Sequence, residues 1–133
     1  KDLAECPLTI VAFSNGPRAY VKRVLQELGV WELFGEERLF AVDDVFPHCK
    51  PEKEAFEKIF QRVNARPENC VMVEDSMKNI RRAKELGMTT VLVSGEAVET
   101  NMTESGARIL PGDAPMKDDP AVDVVVGTIN EMR

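Results

Sequence analysis

Short runs of β-forming apolar residues alternate with amphipathic stripes of helical period along most of the chain. Residues 8–13 (LTIVAF) follow Pro7 and read as a buried strand. Ser14-Asn15-Gly16-Pro17 ends that run with turn chemistry. Val21, Val24, Leu25 and Leu28 then recur at helical spacing until Gly29 stops them. Residues 39–42 predict a short edge strand. Pro51 is expected at the first position of a helix whose stripe is Phe56, Ile59, Phe60 and Val63. Residues 70–73 predict a strand that Glu74-Asp75-Ser76 ends, and Ile80, Ala83 and Leu86 form a third stripe closed by Gly87. Residues 89–93 and 122–126 predict two further strands. Residues 95–120 are rich in Gly, Pro and Asp without a period, so a surface excursion is expected there. Thr128 and Glu131 have the spacing of a capping box. Strand and helix alternate as in an α/β fold, a three-layer α/β/α Rossmann-like arrangement with helices on both faces of a parallel sheet.

With 133 residues, 44% of them apolar and 30% charged, one packed domain over 1–133 is expected. No apolar run approaches the ~20 residues of a membrane span. A net charge of −6 disfavours a nucleic-acid partner, because a phosphate backbone needs a basic stripe. Arg81, Arg82 and Lys84 read as one solvated helix face. Cys6, Cys49 and Cys70 lack zinc-ligand spacing and read as reduced thiols, which suits an intracellular, reducing compartment, cytoplasm or organelle. The chain opens on Lys1 and closes just after a helix-start signal, so both ends are expected to be cut and targeting signals are unreadable.

Ligands of open parallel sheets bind beyond the C-terminal ends of the strands. The residues there are Ser14-Asn15-Gly16, then Asp43-Asp44 with His48 and Lys50, then Glu74-Asp75-Ser76, then Ser94-Gly95. Singly, each has an ordinary reading: Ser14 or Asn15 as a turn or cap, Lys50 as a solvated lysine, Asp75 as a helix cap, His48 as a loop histidine. Glu74 is harder to dismiss, because it continues an apolar strand where an unpaired carboxylate is costly. Two adjacent acids repel, and a hard divalent cation relieves that repulsion. Asn79 lies four residues beyond Asp75, a spacing that returns it over the same spot if a helix begins near Ser76. Together these residues offer a hydroxyl and amides for phosphate, a lysine for its charge and acids for a metal.

Ser-Asn-Gly at 14–16, Lys-Pro at 50–51 and VEDSMKNIRRAKELGM at 73–88 together resemble the haloacid dehalogenase superfamily of phosphohydrolases. The resemblance runs over residues 8–95 and is nearest the pyrimidine 5′-nucleotidase branch. It implies a magnesium-dependent phosphomonoester hydrolase acting on a small phosphomonoester, such as a nucleoside monophosphate. It further implies that Ser14 donates to a phosphoryl oxygen with the backbone amides of Asn15 and Gly16. Lys50 would neutralise the phosphoryl group and steady the nucleophile. Asp75 would ligate magnesium, Glu74 would be a second ligand or lie in the outer shell, and Asn79 and Ser76 would stand behind them. The family's chemistry is attack by an Asp carboxylate to give an aspartyl-phosphate, which water then hydrolyses.

The family's nucleophile motif, Asp-x-Asp-x-Thr or Asp-x-Asp-x-Val, does not occur in the sequence. Asp43-Asp44-Val45 lacks the spacing, Asp118-Asp119 precedes a proline, and Asp123 lies within a predicted strand without a second acid. Asp43 is expected to be a loop acid near the rim of the site. In the family the nucleophile's strand lies centrally, between the strands here at 8–13 and 70–74, and the cap precedes the present N-terminus. The chain is therefore expected to be the C-terminal portion of a single core domain with gaping strand edges, inactive alone. A missing N-terminal segment or a partner chain would complete the sheet. The alternative from another class is a non-catalytic scaffold subunit that docks through the open edge. A phosphoacceptor receiver domain also uses paired acids and a lysine, but the Glu-Asp-Ser-x-x-Asn block argues against it.

Overall fold

A computed structural model describes residues 7–95 and 116–128, and the chain divides into two compact units, Lys1–Val63 and Asn64–Arg133. In the first unit, β1 (Ala12–Phe13) pairs in parallel with β2 (Leu39–Phe40), with Ala12 opposite Leu39 and Phe13 opposite Phe40. The helices are α1 (Arg18–Glu27), α2 (Trp31–Phe34), α3 (Val42–Val45) and α4 (Lys53–Val63). β1 is shorter than the predicted 8–13, because only two residues of β2 are extended beside it. β2 stops early because Asp44 turns the chain into α3. Its Oδ2 accepts the Ala41 N–H at 2.8 Å, and its own N–H donates to the Ala41 carbonyl at 3.0 Å. This is the reach-back half of a capping box.

The core of this unit is Phe40, Val45, Ala55 and Ile59, with Val11, Phe13 and Val63 packed against it. Phe13 meets Phe56 edge to face at 5.6 Å between centroids. The predicted stripe of α4 therefore does the burying, although the helix begins at Lys53, two residues after Pro51. Asp43 lies in α3 rather than in a loop. Pro17, at the N-cap of α1, offers no side-chain acceptor, and Asp43 Oδ2 takes the Arg18 N–H instead at 2.6 Å.

Asp44 ties the unit together, accepting from Arg18 Nη1 at 2.8 Å and Arg62 Nη1 at 3.3 Å as well as from Ala41. Burial alone would raise its carboxyl, but the Ala41 N–H and the two guanidinium groups outweigh burial and hold it below the usual carboxylate range. Asp44→Ala leaves the buried Ala41 N–H without its partner and should cost about 1–3 kcal/mol at neutral pH. A depressed pKa stabilises fully above the unfolded value and ceases to do so as pH falls through the folded one. The difference in Tm between wild type and Asp44→Ala should thus be widest near neutral pH and shrink below about pH 4.

The second unit has a 3-10 turn at Pro67–Asn69, then β3 (Val71–Glu74), α5 (Met77–Glu85), β4 (Thr89–Val93) and β5 (Val124–Val126). The strands are parallel in the order β3-β4-β5, with Glu74 opposite Leu92 and Leu92 opposite Val125. α5 buries Met77, Ile80 and Ala83, and Met77, Ile80 and Leu92 form a core that Ala121 and Val122 flank. Gly87 follows with φ +96°, a backbone that glycine adopts without penalty at a helix C-terminus. β3 is an edge strand, and its Val71 and Val73 are 51% and 36% exposed.

β5 starts two residues later than predicted, after Asp123, whose carboxylate is bound to β4. Asp123 Oδ2 accepts the N–H of buried Thr90 at 2.9 Å and its hydroxyl at 3.1 Å, and Oδ1 accepts Lys84 Nζ at 2.5 Å. Arg81 donates Nη2 and Nε to Asp119 Oδ2 at 2.8 and 3.1 Å. The solvated-face reading of α5 is therefore corrected: Arg81 and Lys84 tie the helix to the segment before β5. Residues 96–115 of the predicted excursion, Cys6 and Glu131 of the predicted capping box lie outside the described residues. Cys49 and Cys70 are free thiols, and burial pushes both pKa values up. Among the described residues, no helix is long and apolar enough to cross a membrane.

Candidate active site

In the first unit the loops after β1 and around Lys50 meet. The Ser14 N–H donates to the Phe40 carbonyl at 2.9 Å, extending the β1–β2 pairing by one rung, and Ser14 Oγ accepts the Gly16 N–H at 3.0 Å. A Cβ at Gly16 would come within 3.3 Å of both Ser14 Oγ and Val21 Cγ2, so the turn is fitted to glycine. The Asn15 side chain bonds both polar groups of the Lys50 backbone: Nδ2 donates to the Lys50 carbonyl and Oδ1 accepts the Lys50 N–H, each at 2.9 Å. A side-chain amide carries a donor and an acceptor side by side, as such a pairing needs. Lys50 Nζ donates to the Phe13 carbonyl at 2.9 Å and sits 4.9 Å from the centroid of the Phe13 ring. The ammonium group is thereby held at the C-terminal end of β1, beside the Ser14 turn.

In the second unit Glu74 closes β3, and its carboxylate is hydrogen-bonded locally. Oε1 accepts the N–H groups of Asp75 and Ser76 at 3.0 and 3.3 Å, and Oε2 accepts Asn79 Nδ2 at 2.9 Å. The burial cost expected at Glu74 is thus offset by three N–H donors of its own segment. Asn79, only 8% exposed, returns to the strand end and donates to the Glu74 carboxylate. α5 begins at Met77 with Ser76 at its N-cap, as the spacing from Asp75 assumed, so Asn79 is the third helical residue and faces back to the strand end. Asp75 is exposed in the turn between β3 and α5.

Magnesium takes hard oxygen donors. Asp75 fits that requirement, whereas much of the acceptor capacity of Glu74 is already taken by N–H groups. Asp75 is therefore the better candidate ligand, and Glu74 the group that shapes the turn presenting it.

The first unit thus brings Ser14, Asn15, Gly16 and Lys50 together, and the second brings Glu74, Asp75, Ser76 and Asn79 together. His48 instead pairs through Nδ1 with Glu52 Oε2 at 2.9 Å. Sequence reasoning missed the side-chain role of Asn15, since its partner is 35 residues away and no local pattern links them.

A family model for haloacid dehalogenase-like hydrolases matches residues 3–102. Over 87 residues the chain is 30% identical to the phosphoglycolate phosphatase of Vibrio vulnificus (strain CMCP6), an alignment covering 65% of this chain and 37% of that protein. Among solved structures, the L-2-haloacid dehalogenase of Xanthobacter autotrophicus with chloropropionic acid covalently bound superposes with a TM-score of 0.75 at 19% identity, over 98% of this chain and 56% of that one. A HAD family hydrolase from Deinococcus radiodurans R1 with bound phosphate and sodium gives 0.67 at 24% identity, over 98% and 52%. A conserved haloacid dehalogenase-like protein from Agrobacterium tumefaciens gives 0.71 at 17% identity, over 98% and 54%. The chain spans little more than a third of the phosphatase and about half of each structural neighbour. The two parallel α/β units share their fold with these structures, and with the match over residues 3–102 the chain belongs to the haloacid dehalogenase-like hydrolases.

Proposed function

We propose that the protein is a magnesium-dependent phosphomonoester hydrolase, and that these 133 residues supply its phosphate-holding and cation-holding groups. The observation that carries the reading is the Lys50 ammonium, fixed by the Phe13 carbonyl and by the Asn15 clamp on its backbone beside the Ser14 hydroxyl. A fixed cation next to a hydroxyl donor suits the oxygens of a transferring phosphoryl group. Ser14 and the backbone amides of Asn15 and Gly16 donate to those oxygens; for Gly16 this means releasing its bond to Ser14 Oγ. Lys50 balances their charge. Asp75 would hold magnesium, with Glu74, Ser76 and Asn79 setting the turn that presents it, and the ion would supply Lewis-acid chemistry. The nucleophilic aspartate comes from protein outside these 133 residues, a reading supported by the lack of an Asp-x-Asp motif among them and by their short span of the relative.

The Ser-Asn-Gly and Glu-Asp-Ser-x-x-Asn blocks favour a pyrimidine nucleoside 5′-monophosphate as substrate. Phosphate release from uridine monophosphate and from phosphoglycolate by the longer protein that also carries the nucleophile, each with magnesium and with chelator, tests this. Magnesium-dependent release with the nucleotide preferred is expected. Preference for phosphoglycolate would overturn the nucleotidase reading, and no release from any small phosphomonoester would overturn the hydrolase reading. The exposed valines on the β3 edge favour a second reading, a non-catalytic subunit that docks there, which predicts a stable partner and no turnover.

A further inference from the structure

We propose that His48, Glu52 and Glu54 form a second metal site, for a borderline divalent cation of the zinc class. One ligand atom from each of the three lies within 4.8 Å of the others. Zinc holds nitrogen and oxygen donors at about 2.0–2.2 Å, which puts neighbouring donors about 3.3 Å apart in a tetrahedron. His48 Nδ1 and Glu52 Oε2 are already 2.9 Å apart, so small side-chain rotations of the exposed glutamates would bring the three donors to a common centre.

The backbone prepares this arrangement. The His48 N–H donates to the Val45 carbonyl at 3.1 Å, the Glu52 N–H to the Cys49 carbonyl at 2.7 Å, and the Ala55 N–H to the Glu52 carbonyl at 3.2 Å. Glu52 Oε1 also accepts the Cys49 N–H at 3.1 Å. These bonds fix the turn from which His48 and Glu52 project and leave Glu52 Oε2 directed at the imidazole, while Glu54 stands in the first turn of α4. Binding through Nδ1 requires the Nε2–H tautomer of the neutral imidazole, so the hydrogen leaves Nδ1 and is carried on Nε2 with no net proton released.

The donor set selects the ion. One imidazole with two carboxylates suits zinc, nickel or copper, whereas magnesium favours oxygen donors alone. The site is therefore chemically distinct from Asp75 and does not depend on the hydrolase reading. Cys49 Sγ lies 3.6 Å from Glu52 Oε1 but is not among the donors that all lie within 4.8 Å of one another, so it is left out of the set.

Zinc titration of the purified protein in saturating magnesium, followed by competition with a chromophoric chelator, tests the site. One zinc is expected at low-micromolar affinity, weakened roughly tenfold or more by His48→Ala and by Glu52→Gln because a donor is lost. Cys49→Ser should leave it unchanged, and bound cobalt(II) should show no thiolate charge-transfer band. Absence of zinc uptake, or wild-type affinity in both His48→Ala and Glu52→Gln, would overturn the proposal and leave an ordinary His–Glu ion pair. Melting curves of the variants without metal keep a folding defect distinguishable from a lost ligand.

Discussion

Replacing Lys50 with alanine should lower the turnover of a phosphomonoester by about 10²–10³-fold, the usual loss when one preorganised charge or donor is removed from a transition state. The side chain is held on two sides, by the Phe13 carbonyl at 2.9 Å and by the ring 4.9 Å away, while Asn15 fixes its backbone. A charge placed this way needs little reorganisation during the reaction. The loss should therefore fall chiefly on kcat, with a smaller change in KM, because charge on the phosphoryl oxygens is redistributed as the reaction proceeds. Arginine should not rescue it: a planar fork cannot occupy the position of a compact ammonium group against one carbonyl. Equal activity of Lys50→Ala and wild type in steady-state phosphate release would remove Lys50 from the chemistry.

Asp75→Asn should have an effect of similar size through the metal. The substitution keeps the size of the side chain and removes its charge, so the fold should persist while magnesium is held more weakly. Turnover at fixed magnesium should drop by roughly 10²-fold or more, and raising magnesium should recover part of it. Glu74→Gln makes a useful contrast. Glu74 takes the Asp75 and Ser76 N–H groups and the Asn79 amide, so its loss should lower Tm as well as activity. A magnesium titration with a melting curve for each variant separates the two roles. Unchanged magnesium dependence in Asp75→Asn would contradict the assignment of the ligand.

Much of the fold is legible where local chemistry suffices. The β-branched run at 89–93 becomes β4 with the predicted limits, and Phe56 and Ile59 bury as their spacing requires. The sequence is less informative where a partner decides. Residues 8–11 resemble a strand as strongly as Ala12 and Phe13 do, yet only the last two find a parallel neighbour. α2 and α3 are four residues each, too short to show a period, and α3 forms through one carboxylate reaching back to Ala41. At the candidate site, strand ends point to Ser14, Lys50, Glu74 and Asp75 because loops there follow parallel strands. What periodicity does not supply is who bonds to whom. It returns Asn79 to the end of β3 but does not say that the amide bonds Glu74. It is also silent on the Asn15–Lys50 clamp, which joins two loops through a fold rather than through a pattern.

The central claim is that these residues hold the phosphoryl group and magnesium while the nucleophile lies outside them. The most direct measurement compares magnesium-dependent phosphate release by residues 1–133 alone with release by the protein that also carries an upstream Asp-x-Asp segment. The prediction is release only from the longer chain, greatly reduced there by Lys50→Ala and by Asp75→Asn. Comparable release by the 133 residues alone, or full activity of the longer chain in both variants, would contradict it.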